Sequence, residues 1–168
     1  MYALMTGRRE LFQWLLLACL LSDILDGLIA RMFHLSSPLG AFLDSTADML
    51  MSIIAALGLF AFQKEFLAAH FAPLVVVVTL YIIEMLAALV RYGKLSSFHT
   101  LLVRAAAYLQ GIFIMSLFLW GYWAGIFYAM VAISVLAYAE EFVLLYVLPK
   151  WTPDVRGLYW VLRRKASR

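Results

Sequence analysis

Apolar residues fill five stretches of this chain, residues 11–32, 38–62, 71–90, 101–120 and 125–148, and polar residues gather in the breaks between them. At about 1.5 Å per residue a helix of about 20 residues crosses the ~30 Å hydrocarbon core of a bilayer, so each stretch predicts a transmembrane helix. The breaks differ in character. Gln63–His70 is a brief polar connection, and Arg91–Thr100 (RYGKLSSFHT) is the most polar internal loop. Gly121–Ala124 is a tight turn, with Trp120, Tyr122 and Trp123 as an interfacial aromatic belt. Pro149 ends the last stretch, and residues 149–168 form a basic tail closing on RRKASR. The expected fold is therefore an all-α, polytopic membrane bundle of five transmembrane helices, with residues 1–168 as a single domain.

Four aspartates interrupt this pattern. Asp23 and Asp26 lie three apart and Asp44 and Asp48 four apart, so each pair projects from one face of its helix. Between the pairs Ser36, Ser37 and Pro38 supply a helix stop and restart, with Ser37 as N-cap and Pro38 at the first helical position. The two helices are thus expected to fold back on each other, bringing all four carboxylates to a similar depth. One carboxylate at the centre of a membrane helix costs roughly 2.5–3.5 kcal/mol on insertion scales, so four together call for a compensating charge, and divalent metal is the natural one. Gly27 and Ala30 leave the helix surface bare beside Asp26, and Arg31, two turns after Asp23, can reach an anion. Carboxylates, metal, an arginine and a bare backbone patch describe a site for a pyrophosphate.

The spacing of Asp23, Asp26, Gly27, Ala30, Arg31, Gly40, Asp44 and Asp48 resembles the signature of the CDP-alcohol phosphotransferases, D-x2-D-G-x2-A-R-x8-G-x3-D-x3-D, with every position filled. Eight specified residues at about one in twenty each make a chance match on the order of 10⁻¹⁰ per start position. The bland alternative for any single aspartate is a buried ion pair. The resemblance implies a transferase of phospholipid biosynthesis that moves a phosphatidyl group from a CDP-linked donor such as CDP-diacylglycerol to a small polar alcohol, releasing CMP. It implies Asp23, Asp26, Asp44 and Asp48 as metal ligands and Asp48 also as general base. Asp23, Asp26, Gly27, Ala30, Arg31, Gly40 and Asp44 would bind the cytidine diphosphate. All-oxygen ligation suits Mg²⁺ or Mn²⁺, and a two-metal site is expected. Relatives usually have six membrane helices, with one ahead of the aspartate-bearing helix, whereas ten residues precede Leu11 here. The resemblance also implies a homodimer.

Composition narrows the alternatives. The chain has 168 residues, 66% of them hydrophobic, with mean hydropathy +0.95 and 14% charged, outside the range of soluble domains. A net charge of +3 falls in loops and tail, where membrane topology explains it and no nucleic-acid partner is called for. The lone Cys19 excludes an internal disulfide and is expected as an inert packing residue. No cleavable signal peptide is evident. Of the 13 Lys and Arg, ten fall on the side of the aspartate turn, the 91–100 loop and the C-terminus, and Arg8, Arg9 and Lys64 on the other. The positive-inside rule puts the aspartate site on the cytoplasmic face, of a bacterial cell membrane by resemblance.

Other polar residues supply weaker candidates. Glu84, Glu140 and Glu141 fall at about the depth of the aspartates and are expected to lock helices together, with an arginine such as Arg104 as partner. Arg91, Lys94 and Arg104 are, by resemblance, acceptor-binding residues; the simpler alternative is an ordinary positive-inside loop. Related phosphatidylglycerophosphate synthases commonly read D-P-x2-D-K around the last two aspartates, whereas this chain has Asp44, Ser45, Thr46, Ala47, Asp48, Met49. Glycerol 3-phosphate is thus a weak favourite over inositol phosphate or serine. A transporter-like bundle would not need Gly27, Ala30 and Arg31 at these offsets, and a partner-dependent member of the family is the remaining alternative.

Overall fold

A computed structural model describes residues 2–32, 38–93, 98, 100–150, 152 and 155–166; at positions 23, 24, 27, 28, 30, 31, 38–46, 48, 49 and 164–166 the description stops at the backbone. Every element is helical: α1 (Tyr2–Met5), α2 (Arg9–Met32), α3 (Pro38–Phe62), α4 (Lys64–Ala69), α5 (Phe71–Tyr92), α6 (Leu101–Leu119), α7 (Ala124–Val147) and α8 (Leu158–Ala166). The five long helices coincide with the five apolar stretches to within two residues at each end. Among the described residues α5, α6 and α7 are long and apolar enough to cross a membrane by themselves, and Leu50–Phe62 adds a shorter apolar run within α3. The chain is a polytopic helical membrane protein. Large side chains such as Trp14, Val78, Ile82 and Leu136 are exposed, as expected of helices whose outer faces meet lipid. Cys19, expected as a packing residue, is exposed as well. In lipid an apolar side chain gains nothing from protein cover, so hydrophobic flanks do not imply burial.

The chain divides into two compact units. The first takes residues 1–69 and 114–121. Its core joins Phe12 and Leu16 of α2, Ala55 of α3, Phe118 of α6 and Ala3 of α1, with Leu20, Met51 and Phe62 packed around them. Phe12 is the hub, its ring 5.4 Å from Phe62 and 5.2 Å from Phe118 between centroids. It fits because Gly58 has no side chain: a Cβ there would fall within the ring of Phe12 and 3.3 Å from Phe118. The Gln63 side-chain amide donates to the Leu117 carbonyl at 3.2 Å. The connection at Gln63–His70 contains α4 and buries Phe66, so it is a helical turn with one apolar anchor.

The second unit takes residues 70–113 and 122–168. Here α5 and α7 run in the same direction. His70, just before α5, meets Phe127 near the start of α7 edge to face at 4.9 Å; Tyr81 meets Tyr138 at 5.6 Å; and the Tyr92 hydroxyl, at the end of α5, donates to the Leu148 carbonyl at 2.7 Å. The first part of α6 runs against them, with Phe113 on Phe127 at 5.3 Å and Gln110 donating to Ser134 at 3.0 Å and Tyr138 at 3.2 Å. Gly93 stops α5 in the left-handed conformation (φ 68°), its N–H returning to Leu89. Thr100 caps α6, accepting from the Val103 N–H at 3.3 Å.

The end of this unit that carries Tyr92, Phe98 and Leu148 is fastened by two adjacent glutamates. Glu141, fully buried, accepts the Phe98 N–H at 2.9 Å, and Glu140 accepts the Leu158 N–H at 2.8 Å. Residues 155–156 pair with the same loop, Val155 N–H donating to Phe98 O at 3.1 Å and Leu101 N–H to Arg156 O at 3.3 Å. The structural role expected for these glutamates therefore works through backbone N–H groups of two connecting segments.

Two outcomes are expected from thermal unfolding in detergent. Gly58→Val should cost about 1–3 kcal/mol by overpacking, and adding Phe12→Ala should recover part of that loss, because the two residues share one contact. Glu141→Ala should cost about 1–3 kcal/mol by leaving the Phe98 N–H buried without its acceptor, whereas Glu141→Gln, which keeps a carbonyl oxygen, should cost less.

Candidate active site

The hairpin of α2 and α3 is antiparallel. Phe12 of α2 lies against Gly58 and Phe62 of α3, and Leu16 shares a core with Ala55, as Leu20 does with Met51. Five residues separate the end of α2 at Met32 from the start of α3 at Pro38. Counted at about 1.5 Å per residue from the contacts of Phe12 with Gly58 and Phe62, the antiparallel pair would bring position 23 level with about positions 47–51 and position 26 with about positions 44–48. The two pairs span about 4.5 Å and 6 Å along their helices. On that count the four motif aspartates would lie within a few residues of one level along the hairpin.

Asp23, Asp26, Gly27, Ala30 and Arg31 all lie in the last three turns of α2, while Gly40, Asp44 and Asp48 lie in the first three turns of α3. Of the four aspartates Asp26 has a described side chain, and it is exposed. The side chains of Asp23, Gly27, Ala30, Arg31, Gly40, Asp44 and Asp48 lie outside the described residues, as do Ser36 and Ser37 of the expected turn. α3 does begin at Pro38, where a proline costs no hydrogen bond because the first N–H of a helix has no partner inside it. Among the described residues no group of three or more His, Cys, Asp or Glu forms a metal-holding cluster. Carboxylates drawn from two neighbouring helices would suit a hard divalent cation, whose ligands are oxygens.

The second set of candidates lies in the second unit. Arg91 is exposed in the last turn of α5. Its guanidinium lies over the Tyr92 ring, 5.6 Å from the centroid, and donates to the Tyr92 hydroxyl at 3.3 Å and to the Leu148 carbonyl at 3.5 Å. A cation there complements the negative end of α7 and keeps a face open to solvent anions. Arg104 is exposed in the first turn of α6, and Lys94 lies outside the described residues. Glu84 is 2% exposed on α5, and among the described residues its buried Oε1 has no hydrogen-bond partner.

The capping role of Thr100, the contacts of the Tyr92 hydroxyl and the backbone-binding role of Glu140 and Glu141 were not anticipated from the sequence, which offers the Thr100 hydroxyl as a candidate for binding an anionic acceptor beside Arg91 and Arg104. Thr100 carries a legible signal, a capping residue directly before an apolar run. The glutamates carry none, because their partners lie 43 and 18 residues away in segments without periodic pattern.

No curated protein and no solved structure matches this chain. The family model for CDP-alcohol phosphatidyltransferases matches residues 1–140, which include both helices of the aspartate hairpin and run well into α7. Members of that family are membrane transferases of phospholipid biosynthesis and are generally dependent on magnesium or manganese. With this match added to an unbroken eight-residue signature on two antiparallel helices, the chain belongs to the CDP-alcohol phosphatidyltransferase family.

Proposed function

We propose that this protein transfers a phosphatidyl group from CDP-diacylglycerol to a small polar alcohol, with the aspartate hairpin as its catalytic centre and glycerol 3-phosphate as the favoured acceptor. The observation that supports this is the family match across both helices of the hairpin, which carry the complete eight-residue signature. Asp23, Asp26, Asp44 and Asp48 would hold Mg²⁺ or Mn²⁺, which supplies neutralisation of the pyrophosphate charge. Gly27, Ala30 and Gly40 leave room for the cytidine diphosphate, and Arg31 binds its phosphates with a charge-assisted, forked contact. Asp48 accepts the proton of the attacking hydroxyl. As the new bond from that oxygen to the lipid-linked phosphorus forms, the bond from phosphorus to the CMP oxygen breaks, and CMP leaves with the electron pair.

Arg91, Lys94 and Arg104 would recognise an anionic group on the acceptor, which favours a phosphorylated alcohol over serine. The site would face the cytoplasm, the side that holds ten of the 13 basic residues and on which CMP could be released.

Purified protein in lipid nanodiscs, given CDP-diacylglycerol and a panel of glycerol 3-phosphate, inositol phosphate, inositol and serine, should release CMP with the first as the best acceptor. Asp48→Asn should lower turnover by about 10²–10⁴-fold at unchanged protein stability. Chelation by EDTA should abolish release, and Mg²⁺ or Mn²⁺ should restore it. Near wild-type turnover in Asp48→Asn would contradict the assignment of the base, and CMP release from no acceptor would contradict the activity.

A further inference from the structure

The helix that follows the last membrane span lies beyond the residues that match the family. α8 reads LYWVLRRKA and is held at its start by three contacts within its own unit. Glu140 of α7 accepts the Leu158 N–H at 2.8 Å, and Leu158 and Val161 pack against a core of Ala88, Phe98, Leu144 and Leu145. Gly157, at φ 150°, leads into the helix where a Cβ would meet Glu140 Oε1 at 2.9 Å and the Trp160 ring at 3.3 Å, so α8 sits directly on the carboxylate that caps it. Its neighbours Ala88 and Tyr92 belong to the last turns of α5, Leu144 and Leu145 to the last turn of α7, and Leu148 follows directly as the residue that ends α7. α8 therefore lies at the level where two apolar spans end. For a chain inserted in a bilayer, that is the headgroup layer.

The opposite face of α8 is open. Tyr159 is 64% exposed and Trp160 39%, their rings perpendicular and 5.6 Å apart, and Arg163 is exposed one turn on, followed in sequence by Arg164 and Lys165. Aromatic side chains with one apolar and one polar end settle at the membrane–water boundary, and a run of cations beside them complements anionic headgroups. A surface that met water alone would gain nothing from two exposed aromatic rings. A soluble partner would have to approach at the level where lipid headgroups already stand.

We propose that α8 is a membrane-surface helix that binds the anionic lipid headgroups of the leaflet through Tyr159, Trp160 and Arg163, the first of three consecutive cations in the sequence. Glu140 and the core beneath Leu158 fix its inner face, and lipid covers its outer face. The short helix is then ordered from both sides, as an isolated nine-residue helix in water would not be.

Hydrogen exchange measured by mass spectrometry on the full chain tests this, in nanodiscs of phosphatidylcholine alone and of phosphatidylcholine with phosphatidylglycerol. Exchange of the amides of residues 159–166 should slow on the order of tenfold in the anionic discs, while α7 exchanges equally in both. The triple variant Arg163→Gln, Arg164→Gln, Lys165→Gln should lose the lipid dependence with α7 unchanged, which separates lost binding from lost folding. Equal exchange of 159–166 in the two lipids, lipid dependence retained by the triple variant, or the same protection from soluble glycerol phosphate in neutral discs would each overturn the proposal.

Discussion

Carboxylates and hydrocarbon repel each other, and this chain places four aspartates on the two helices of one apolar hairpin. Acidic groups at membrane depth persist when they share a counter-charge or reach water. A cation held between the two helices satisfies that condition with one ion for several carboxylates, provided that the helices are antiparallel and in register. Much of the first unit can be understood as the means of meeting that proviso. Phe12 seated on Gly58, at the far end of the hairpin from the aspartates, fixes how α3 runs back along α2, and a slip of one turn there would move one pair past the other by about 5.4 Å.

The second unit uses carboxylates in another way. Glu140 and Glu141 each take a backbone N–H from a segment with no regular partner of its own, one entering α8 and one approaching α6. A carboxyl oxygen accepting a main-chain donor satisfies an N–H that has no regular partner, and its geometry is selective. Together with the Val155–Phe98 and Leu101–Arg156 pairs it fastens the connections at the ends of α5 and α7, beside Arg91 and leading into the helix that bears Arg104. The same chemical group thus binds ligand in one unit, on our proposal, and backbone in the other.

The long helices were legible because membrane insertion leaves few choices: an apolar run of the right length has to be helical, and Pro38 marks a boundary by its backbone restriction. The candidate site was legible as a spacing, since the offsets of Asp23, Asp26, Asp44 and Asp48 fix helix faces without any tertiary information. α4 and α8 were hidden in segments that read as a polar connection and a basic tail. In α8 the charges of Arg163–Lys165 mask an apolar pair, Leu158 and Val161, that finds its partners across the fold. Exposure was misjudged at Cys19 for the opposite reason, because hydropathy reports what a residue dissolves in and lipid serves as well as protein.

The central claim is that carboxylates from both helices hold one cation site, and Mn²⁺ binding to the purified protein, followed by electron paramagnetic resonance, tests it most directly. The account predicts that Asp26→Asn on α2 and Asp44→Asn on α3 each weaken Mn²⁺ binding by on the order of tenfold or more. Unaltered Mn²⁺ affinity after substitution on either helix would contradict a site shared between them.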